Sequence, residues 1–156
     1  MDVVAARIED IPPWLNLAAE VEFLFGPMLD DSAFHRALET NICRHTAFCV
    51  READGPPGTA LMGALLFSVK HAPSYSINWL SVARRWRRFG VGRRLVQHVF
   101  GLVRPPAEIS VTTFGEDNPA GRPARRFYER MGFYAAEAAP TGPEGGSRQV
   151  YRRVFM

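Results

Sequence analysis

The sequence predicts an α/β fold built on a mixed β-sheet, and three observations support this prediction. Strand-like apolar runs and stretches with helical spacing follow one another in the order strand, two helices, three strands, helix, strand, helix, two strands. The length of 156 residues suits one domain, which we assign to residues 1–156. The contents of 47% hydrophobic and 22% charged residues are ordinary for a globular protein.

The strands are predicted from short apolar runs that are bounded by turn residues. They cover residues 3–7, 46–51, 60–70, 76–82, 108–114, 133–136 and 149–155. The sequence Gly-Pro-Pro-Gly at residues 55–58 is typical of a hairpin connection between the second and third of these runs.

The helices are predicted from apolar spacing and from the residues at their ends. They cover residues 14–25, 31 or 32 to about 43, 90–103, and 120 or 123 to 131. Asp31 or Ser32 is suited to cap the second helix. Pro105 and Pro106 close the third helix, because proline cannot continue one, and Gly132 ends the fourth.

Composition argues against several classes of protein. No apolar run approaches the ~20 residues needed to cross a bilayer, and the N-terminal residues lack the pattern of a secretory signal, so we expect a cytoplasmic protein without a membrane partner. Cys43 and Cys49 predict two reduced thiols and no disulfide framework. The four histidines form no HxxxH or HxH pair, and we expect no metal site.

The net charge of +3 comes almost entirely from arginine, and six arginines lie between Arg84 and Arg94. Such a cluster could bind nucleic acid, could bind a polyanionic cofactor, or could be a solvated helix face. Guanidinium groups have a planar shape that suits phosphate oxygens. The neighbouring glycines help to choose among the three interpretations.

Two glycines alternate where an apolar strand passes through a basic turn into an amphipathic helix. Free amides and the dipole at a helix N-terminus bind phosphate, and Gly90 and Gly92 allow the backbone to approach it closely. The pattern is not a Walker loop, and Leu95 stands where a dinucleotide fingerprint has its third glycine. From these residues alone, an ordinary glycine turn and a phosphate site are about equally favoured.

The spacing of Val82, Arg87, Gly90, Gly92 and Leu95 resembles motif A of the GNAT acetyltransferases. This resemblance implies acetyl-CoA as cosubstrate and a GNAT-like, mostly antiparallel sheet of about six to seven strands with about four helices. It implies that loop amides bind the pyrophosphate and that the preceding strand binds the pantetheine arm and the acetyl carbonyl. The residues concerned are Leu80, Ser81, Val82, Arg87, Arg88, Phe89, Gly90, Val91, Gly92 and Arg93.

A second run, from Asn118 through Ala124 and Tyr128 to Gly132 and Phe133, resembles motif B of the same family. The resemblance implies that Asn118 belongs to the cofactor site. It also places the hydroxyl of Tyr128 near the thioester sulfur, where a phenol could protonate the departing thiolate. Without the motif, Tyr128 would be interpreted as a half-buried helix residue that packs on the sheet.

The resemblance implies direct transfer of an acetyl group to a primary amine of a small-molecule or peptide acceptor, without a nucleic-acid partner, and it allows a homodimer. An acceptor site is expected between the first two helices and the sheet. The region contains Trp14, Glu20, Glu22, Phe23, Phe25, Phe34 and His35.

The sequence does not identify a general base. The positions comparable to family bases hold Ser76, Asn78 and Thr113, and none of these is basic. Glu116, Asp117 and His71 are fallback candidates near strand ends. The alternatives left open are a protein N-terminal or lysine acetyltransferase, a GNAT-fold sensor that binds acetyl-CoA without catalysis, and a nucleic-acid binder.

Overall fold

The computed structural model describes residues 1–22, 30–142 and 145–156, and its centre is one seven-stranded sheet. The strands are β1 (Val4–Ala5), β2 (Ala47–Arg51), β3 (Leu61–His71), β4 (Ser74–Val82), β5 (Ala107–Phe114), β6 (Tyr134–Ala139) and β7 (Arg148–Phe155). Their spatial order is β1-β2-β3-β4-β5-β7-β6. Only β4 and β5 pair in parallel, and all other pairs are antiparallel. The predicted mixed, mostly antiparallel sheet is confirmed.

Four α-helices lie within the described residues, as predicted. They are α1 (Ile11–Ala19), α2 (Ser32–Cys43), α3 (Val91–Phe100) and α4 (Arg122–Arg130). The N-cap of α2 is Asp31, whose carboxylate accepts from the amide of Ala33. Gly132 follows α4 with φ of 90°, which confirms its predicted role at the helix end.

Three predicted helix boundaries were wrong. The first predicted helix, expected to run to residue 25, ends at Ala19, and Glu20 and Val21 lie in a turn. The helix expected from residue 14 begins at Ile11, because Pro12 and Pro13 occupy first-turn positions where no amide hydrogen bond is needed. The helix expected to run to residue 103 ends at Phe100, where Gly101, a poor helix former, takes the C-cap. Residues 23–25 of the first predicted helix, including Phe23 and Phe25, lie outside the described residues.

The helices cover the sheet from both sides. Buried residues of α1 and α2, such as Trp14 and Leu38, pack on one face of β2 and β3. Buried residues of α3 and α4, such as Leu95 and Tyr128, pack on the other face in the larger core. Within the described part of the chain, no helix is long and apolar enough to cross a bilayer.

A buried ion pair joins the N-terminal segment to β2. The fully buried Asp10 accepts two hydrogen bonds from Arg51, at 2.6 and 2.9 Å, and further ones from the amides of Arg7 and Gly58. Burial by itself raises the pKa of Asp10, but these donors outweigh it and hold the pKa below its usual value. The pair fixes the approach of the chain to α1.

Candidate active site

Strands β4 and β5 separate part-way along their length. Their parallel pairing ends after four residue pairs, with Ile77 opposite Val111. Beyond that point β4 continues to Val82 and β5 continues to Phe114 without pairing with each other. A wedge-shaped opening therefore lies between the C-terminal ends of the two central strands.

A β-bulge lies at the point of separation. On the edge of β4 that pairs with β3, Leu66 is opposite Trp79 and Phe67 is opposite Ile77, so Asn78 has no partner. An extra residue of this kind bends its strand and increases the local twist. The bulge accounts for the divergence of β4 from β5.

A cavity of about 180 Å³ lies at the vertex of the wedge, and we call it the vertex cavity. Its lining residues are mostly small and polar: Ser76, Ile77, Asn78, Ser110, Val111 and Thr112. The hydroxyl of Ser76 donates to Oδ1 of Asn78 at 2.9 Å. The vertex therefore offers hydroxyl and carboxamide groups that can hydrogen-bond a polar ligand.

The segment at residues 87–92, which we call the cosubstrate loop after the role predicted for it, connects the end of β4 with α3. Arg88 and Gly90 have φ of 68° and 82°, and both lie in the left-handed region. The amide of Arg94 makes the first helical hydrogen bond, to the carbonyl of Gly90 at 3.0 Å. The amides of residues 91–93 precede it and are the unpaired donors of the helix end. A Cβ at residue 90 would meet nothing within 4 Å, so the space before these donors is open.

Two side chains of the cosubstrate loop have defined neighbours. Nε of Arg87 donates to the carbonyl of Val82 at 3.4 Å, which turns this guanidinium back toward the end of β4. Phe89 is 61% exposed, and its ring lies edge-on to Trp86 at 5.7 Å between centroids. The loop therefore presents an exposed aromatic ring beside its arginines.

The first turn of α3 packs against α4. A Cβ at Gly92 would lie 3.3 Å from the ring of Phe127 and 3.5 Å from Val82. Val91 is buried in the core, whereas Arg93 is exposed to solvent. The close approach of the two helices leaves little room for a side chain larger than glycine at position 92.

The predicted strand residues lie along the wedge. Leu80 and Val82 are half-buried and pack against the core under α3 and α4, whereas Ser81 is buried. All three pair with β3 on one edge. Their other edge faces the opening, where backbone groups can bind an extended ligand.

Two carboxylates hold the turn that precedes the cosubstrate loop. Glu20, just after α1, accepts from the amide of Arg84 at 2.8 Å. Glu52 accepts from Nε1 of Trp86 at 2.8 Å, and Nη1 of Arg85 lies 3.8 Å from the same oxygen. We call Glu20 and Glu52 the loop-anchoring carboxylates.

Tyr128 lies in the core between α4 and the sheet. Its ring is 6% exposed and contacts Phe127, Phe133 and Tyr151 at centroid distances of 5.2 to 6.5 Å. Burial raises the pKa of Tyr128, so the hydroxyl remains protonated at neutral pH. A chemical role and a packing role both remain open at this position.

Asn118 has a local structural partner. Its side chain accepts from the amide of Ala120 at 3.1 Å and caps the short 3-10 turn at Pro119–Gly121. The cap leaves its carboxamide nitrogen for other contacts. The predicted role in cofactor binding remains a prediction.

Four of the residues considered as general bases lie in different parts of the structure. Thr113 is buried, and Glu116 is exposed with its carboxylate 3.7 Å from Nη2 of Arg125. Asp117 accepts from a serine hydroxyl of the β6–β7 connection. His71 is exposed at the far end of β3, where β3 turns into β4. None of these four lines the vertex cavity.

Aromatic side chains lie on the face of β4 opposite the cosubstrate helix. The ring of Trp79 lies 5.7 Å from Trp14 and 6.0 Å from Phe34, between centroids. Within residues 1–22, 30–142 and 145–156, neither indole nitrogen has a hydrogen-bond acceptor. Trp79 follows the bulge directly, so this aromatic group borders the wedge on the side of α1 and α2.

The remaining residues of the predicted acceptor region are dispersed. Glu20 anchors the turn before the loop, and Glu22 and His35 are half-buried. Phe23 and Phe25 lie outside the described residues. Among the described residues, no group of three or more His, Cys, Asp or Glu side chains could hold a metal ion.

The bulge at Asn78 and the loop-anchoring carboxylates were not found from the sequence. Glu20 is 64 residues from Arg84, and Glu52 is 34 residues from Trp86. No local pattern indicates contacts over such separations. The vertex residue Asn78 was considered only as a position for a base.

Comparison with known proteins places the chain in a family. Residues 44–135, more than half of the chain, match the model of the acetyltransferase (GNAT) domain. No curated protein matches the chain significantly. The chain belongs to the GNAT acetyltransferase family. It is, by that class, an N-acetyltransferase.

Solved structures of low identity share the fold. Ard1 from Thermoplasma volcanium has a TM-score of 0.78 at 18% identity, over 99% of this chain and 97% of that one. The PaiA N-acetyltransferase from Thermoplasma acidophilum, in complex with coenzyme A, has a TM-score of 0.74 at 12% identity, over 99% and 98%. Naa50 from Arabidopsis thaliana, in complex with the bisubstrate analogue CoA-Ac-MVNAL, has a TM-score of 0.70 at 16% identity, over 99% and 98%.

Proposed function

We propose that residues 1–156 form one catalytic domain that transfers an acetyl group from acetyl-CoA to a primary amine by direct attack on the thioester. The cosubstrate supplies the activated acetyl group. The amides and arginines of residues 87–93 bind its pyrophosphate, and the open edge of residues 80–82 binds its pantetheine arm. Asn118 contributes from the start of the motif B segment.

One observation carries the proposal: the wedge between β4 and β5 opens at the same end of β4 from which the cosubstrate loop departs. An extended thioester needs both a slot between strands and an anion site at the slot's entrance. Open space before Gly90 and the unpaired amides of residues 91–93 meet the second requirement.

The test of cosubstrate binding is Gly90→Asp, measured by calorimetry with CoA. The new carboxylate would lie in the open space before the loop amides and would repel the pyrophosphate of CoA. Because such a contact between like charges costs several kcal/mol, we expect the affinity for CoA to fall at least ~100-fold. Gly145→Asp is a matched control, because Gly145 has φ of 84° and equally open surroundings in another loop. If Gly90→Asp and Gly145→Asp both fold and bind CoA with equal affinity, residues 87–93 do not form the pyrophosphate site.

In the same proposal, Tyr128 is the acid that protonates the departing thiolate. Burial raises the pKa of Tyr128 and makes it a weaker acid, so the proton is transferred only as negative charge develops on the sulfur, and the buried position keeps water from competing for that transfer. The phenol proton is transferred to the sulfur as the C–S bond breaks, which gives the CoA thiol. The amine loses one proton to solvent as the amide forms, and Tyr128 is reprotonated from solvent. The vertex cavity is lined by hydroxyl groups that the amine can approach.

Tyr128→Phe separates this role from packing. The variant keeps the ring and its contacts, and the hydroxyl has no hydrogen-bond partner among the described residues, so we expect unchanged stability. Turnover should fall at least ~10-fold, since a general acid typically accelerates a reaction by ~10²- to 10⁴-fold. Tyr151→Phe is the control, because that buried hydroxyl donates to Glu129 at 3.3 Å. This control should lose ~1 kcal/mol of stability and retain turnover. Full turnover in Tyr128→Phe would remove Tyr128 from the mechanism.

The acceptor is a small-molecule or peptide amine that approaches from the side of Trp79 and Phe34. The Naa50 complex with a peptide-containing bisubstrate analogue favours a peptide N-terminus as one candidate. Release of free thiol should be measured with free amines, peptides with free N-termini, and N-blocked lysine peptides. Activity confined to the free amines would exclude the peptide candidate.

A further inference from the structure

The charges of the chain are divided between its two halves. Residues 84–130 contain eleven arginines and four acidic residues, whereas residues 1–55 contain four arginines and ten acidic residues. The first range includes α3 and α4, and the second includes α1 and α2. The helices share this difference only in part: α3 and α4 together contain six arginines and one glutamate, whereas α1 has no charged residue and α2 has one arginine and one glutamate.

Three arginines on α4 form a continuous row, which we call the α4 arginine stripe. Arg122, Arg126 and Arg130 are each exposed and are spaced four residues apart, which places them on one side of the helix with ~6 Å between successive positions. Among the described residues, no carboxylate lies within 4 Å of any of the three. Glu129 is the only acidic residue of α4.

The α4 arginine stripe is unfavourable for the isolated helix. Arg122 lies in the first turn, where the helix dipole opposes a cation. Each adjacent pair in the stripe places like charges four residues apart, which also destabilises a helix. Arg130 lies in the last turn, where the helix dipole favours a cation, but Arg122 and the two like-charge pairs remain unfavourable, and an external anion would relieve them.

We propose that the α4 arginine stripe binds the phosphate backbone of a nucleic acid, on a surface separate from the cosubstrate loop. The sequence-based expectation of no nucleic-acid partner rested on the arginines between residues 84 and 94 alone. The stripe belongs to a different helix, and its binding function is independent of the proposed acetyl transfer.

The chemistry of the stripe favours a nucleic acid over other anionic partners. The guanidinium fork matches phosphate oxygens, and a row of evenly spaced cations suits a polymer with evenly spaced phosphates. A membrane-binding helix would insert an apolar face, but Ala124, Phe127 and Tyr128 of α4 pack into the core. An acidic protein is the remaining alternative, and the experiment includes it.

The test is fluorescence anisotropy with a labelled single-stranded RNA of mixed sequence, compared between the wild type and Arg122→Gln/Arg126→Gln/Arg130→Gln. We expect the variant to bind at least ~10-fold more weakly. Its log–log salt slope should be smaller by about 2, because each lost phosphate contact removes ~0.7 from the slope. The variant should be at least as stable as the wild type, because unfavourable charges have been removed.

The matched control is Arg36→Gln/Arg44→Gln/Lys70→Gln, which removes the same charge from exposed positions outside the α3 and α4 layer. It should bind RNA like the wild type. If both triple variants lost RNA affinity equally, the loss would be an effect of net charge alone, and the proposal would be overturned. Displacement of RNA by acetyl-CoA, or tighter binding of polyglutamate than of RNA, would also overturn it. Gly90→Asp should retain RNA binding, so failure of the cosubstrate assignment can be distinguished from failure here.

Discussion

Glu52 is expected to set the affinity for CoA although it lies outside the cosubstrate loop. Its carboxylate accepts from the indole of Trp86 at 2.8 Å, immediately before residue 87. A hydrogen bond to a charged partner contributes ~1.5–3 kcal/mol. The nearby guanidinium of Arg85 is largely exposed at 3.8 Å and adds ~1 kcal/mol at most.

In Glu52→Ala, the turn loses this anchor and the binding-competent conformation of the loop becomes less populated. Apparent affinity falls in proportion to that population, so the full loss of ~1.5–3 kcal/mol would weaken CoA binding by ~10- to 150-fold. Glu52→Gln keeps an oxygen for the indole and should bind CoA within ~5-fold of the wild type. Calorimetry with CoA and a thermal unfolding curve should be recorded for each variant.

Asp54→Ala is the matched control, because this carboxylate lies in the same 3-10 turn, at Glu52–Asp54, but contacts the N-terminus of the chain. It should leave the affinity for CoA unchanged. If Glu52→Ala lowered the melting temperature and left CoA affinity at the wild-type value, Glu52 would stabilise the fold without positioning the loop, and the reasoning would be refuted.

Two further predictions concern strain and charge. Arg88→Gly should remove the strain of the left-handed conformation, so its free energy of unfolding should equal that of the wild type or exceed it by up to ~1 kcal/mol. Its affinity for CoA, measured by calorimetry, should fall. Arg88→Ala keeps the strain and should be less stable than Arg88→Gly. Asp10→Asn should cost ~3–5 kcal/mol in denaturant unfolding, because Arg51 loses its buried partner. Folding lowers the pKa of Asp10. Its contribution to the free energy of unfolding is therefore complete above the unfolded pKa of ~3.9 and is lost as the pH falls through the folded pKa. The stability of Asp10→Asn should not show this decrease at acid pH.

Local signals in the sequence predicted most of the fold. The cap at Asp31 and the glycine at position 132 each act through neighbours a few residues away, and both were identified. The start of α1 was missed because two prolines in succession suggest a break. They are compatible with the first turn of a helix, where their missing amide hydrogens are not required.

The sequence-based predictions for the candidate site rest on short-range patterns. The alternation of Gly90 and Gly92 marks the loop, because one needs a left-handed conformation and the other a close approach to Phe127. The bulge at Asn78 depends on the register between β3 and β4, and nothing in the strand's own residues records that register. The contacts of Glu20 and Glu52 depend in the same way on tertiary structure.

The bulge and the loop-anchoring carboxylates act on the same strand from opposite ends. The bulge bends β4 away from β5 after Ile77, which opens a slot but also removes the pairing that would fix the strand's C-terminal half. Pairing with β3 holds one edge of that half, and Glu20 and Glu52 hold the turn that follows it. The slot and the anion site at its entrance can then keep a fixed relative position without closing the strands. A site of this kind needs its polar anchors outside the slot, because any group that bridged β4 and β5 directly would occupy the path that we propose for the cosubstrate.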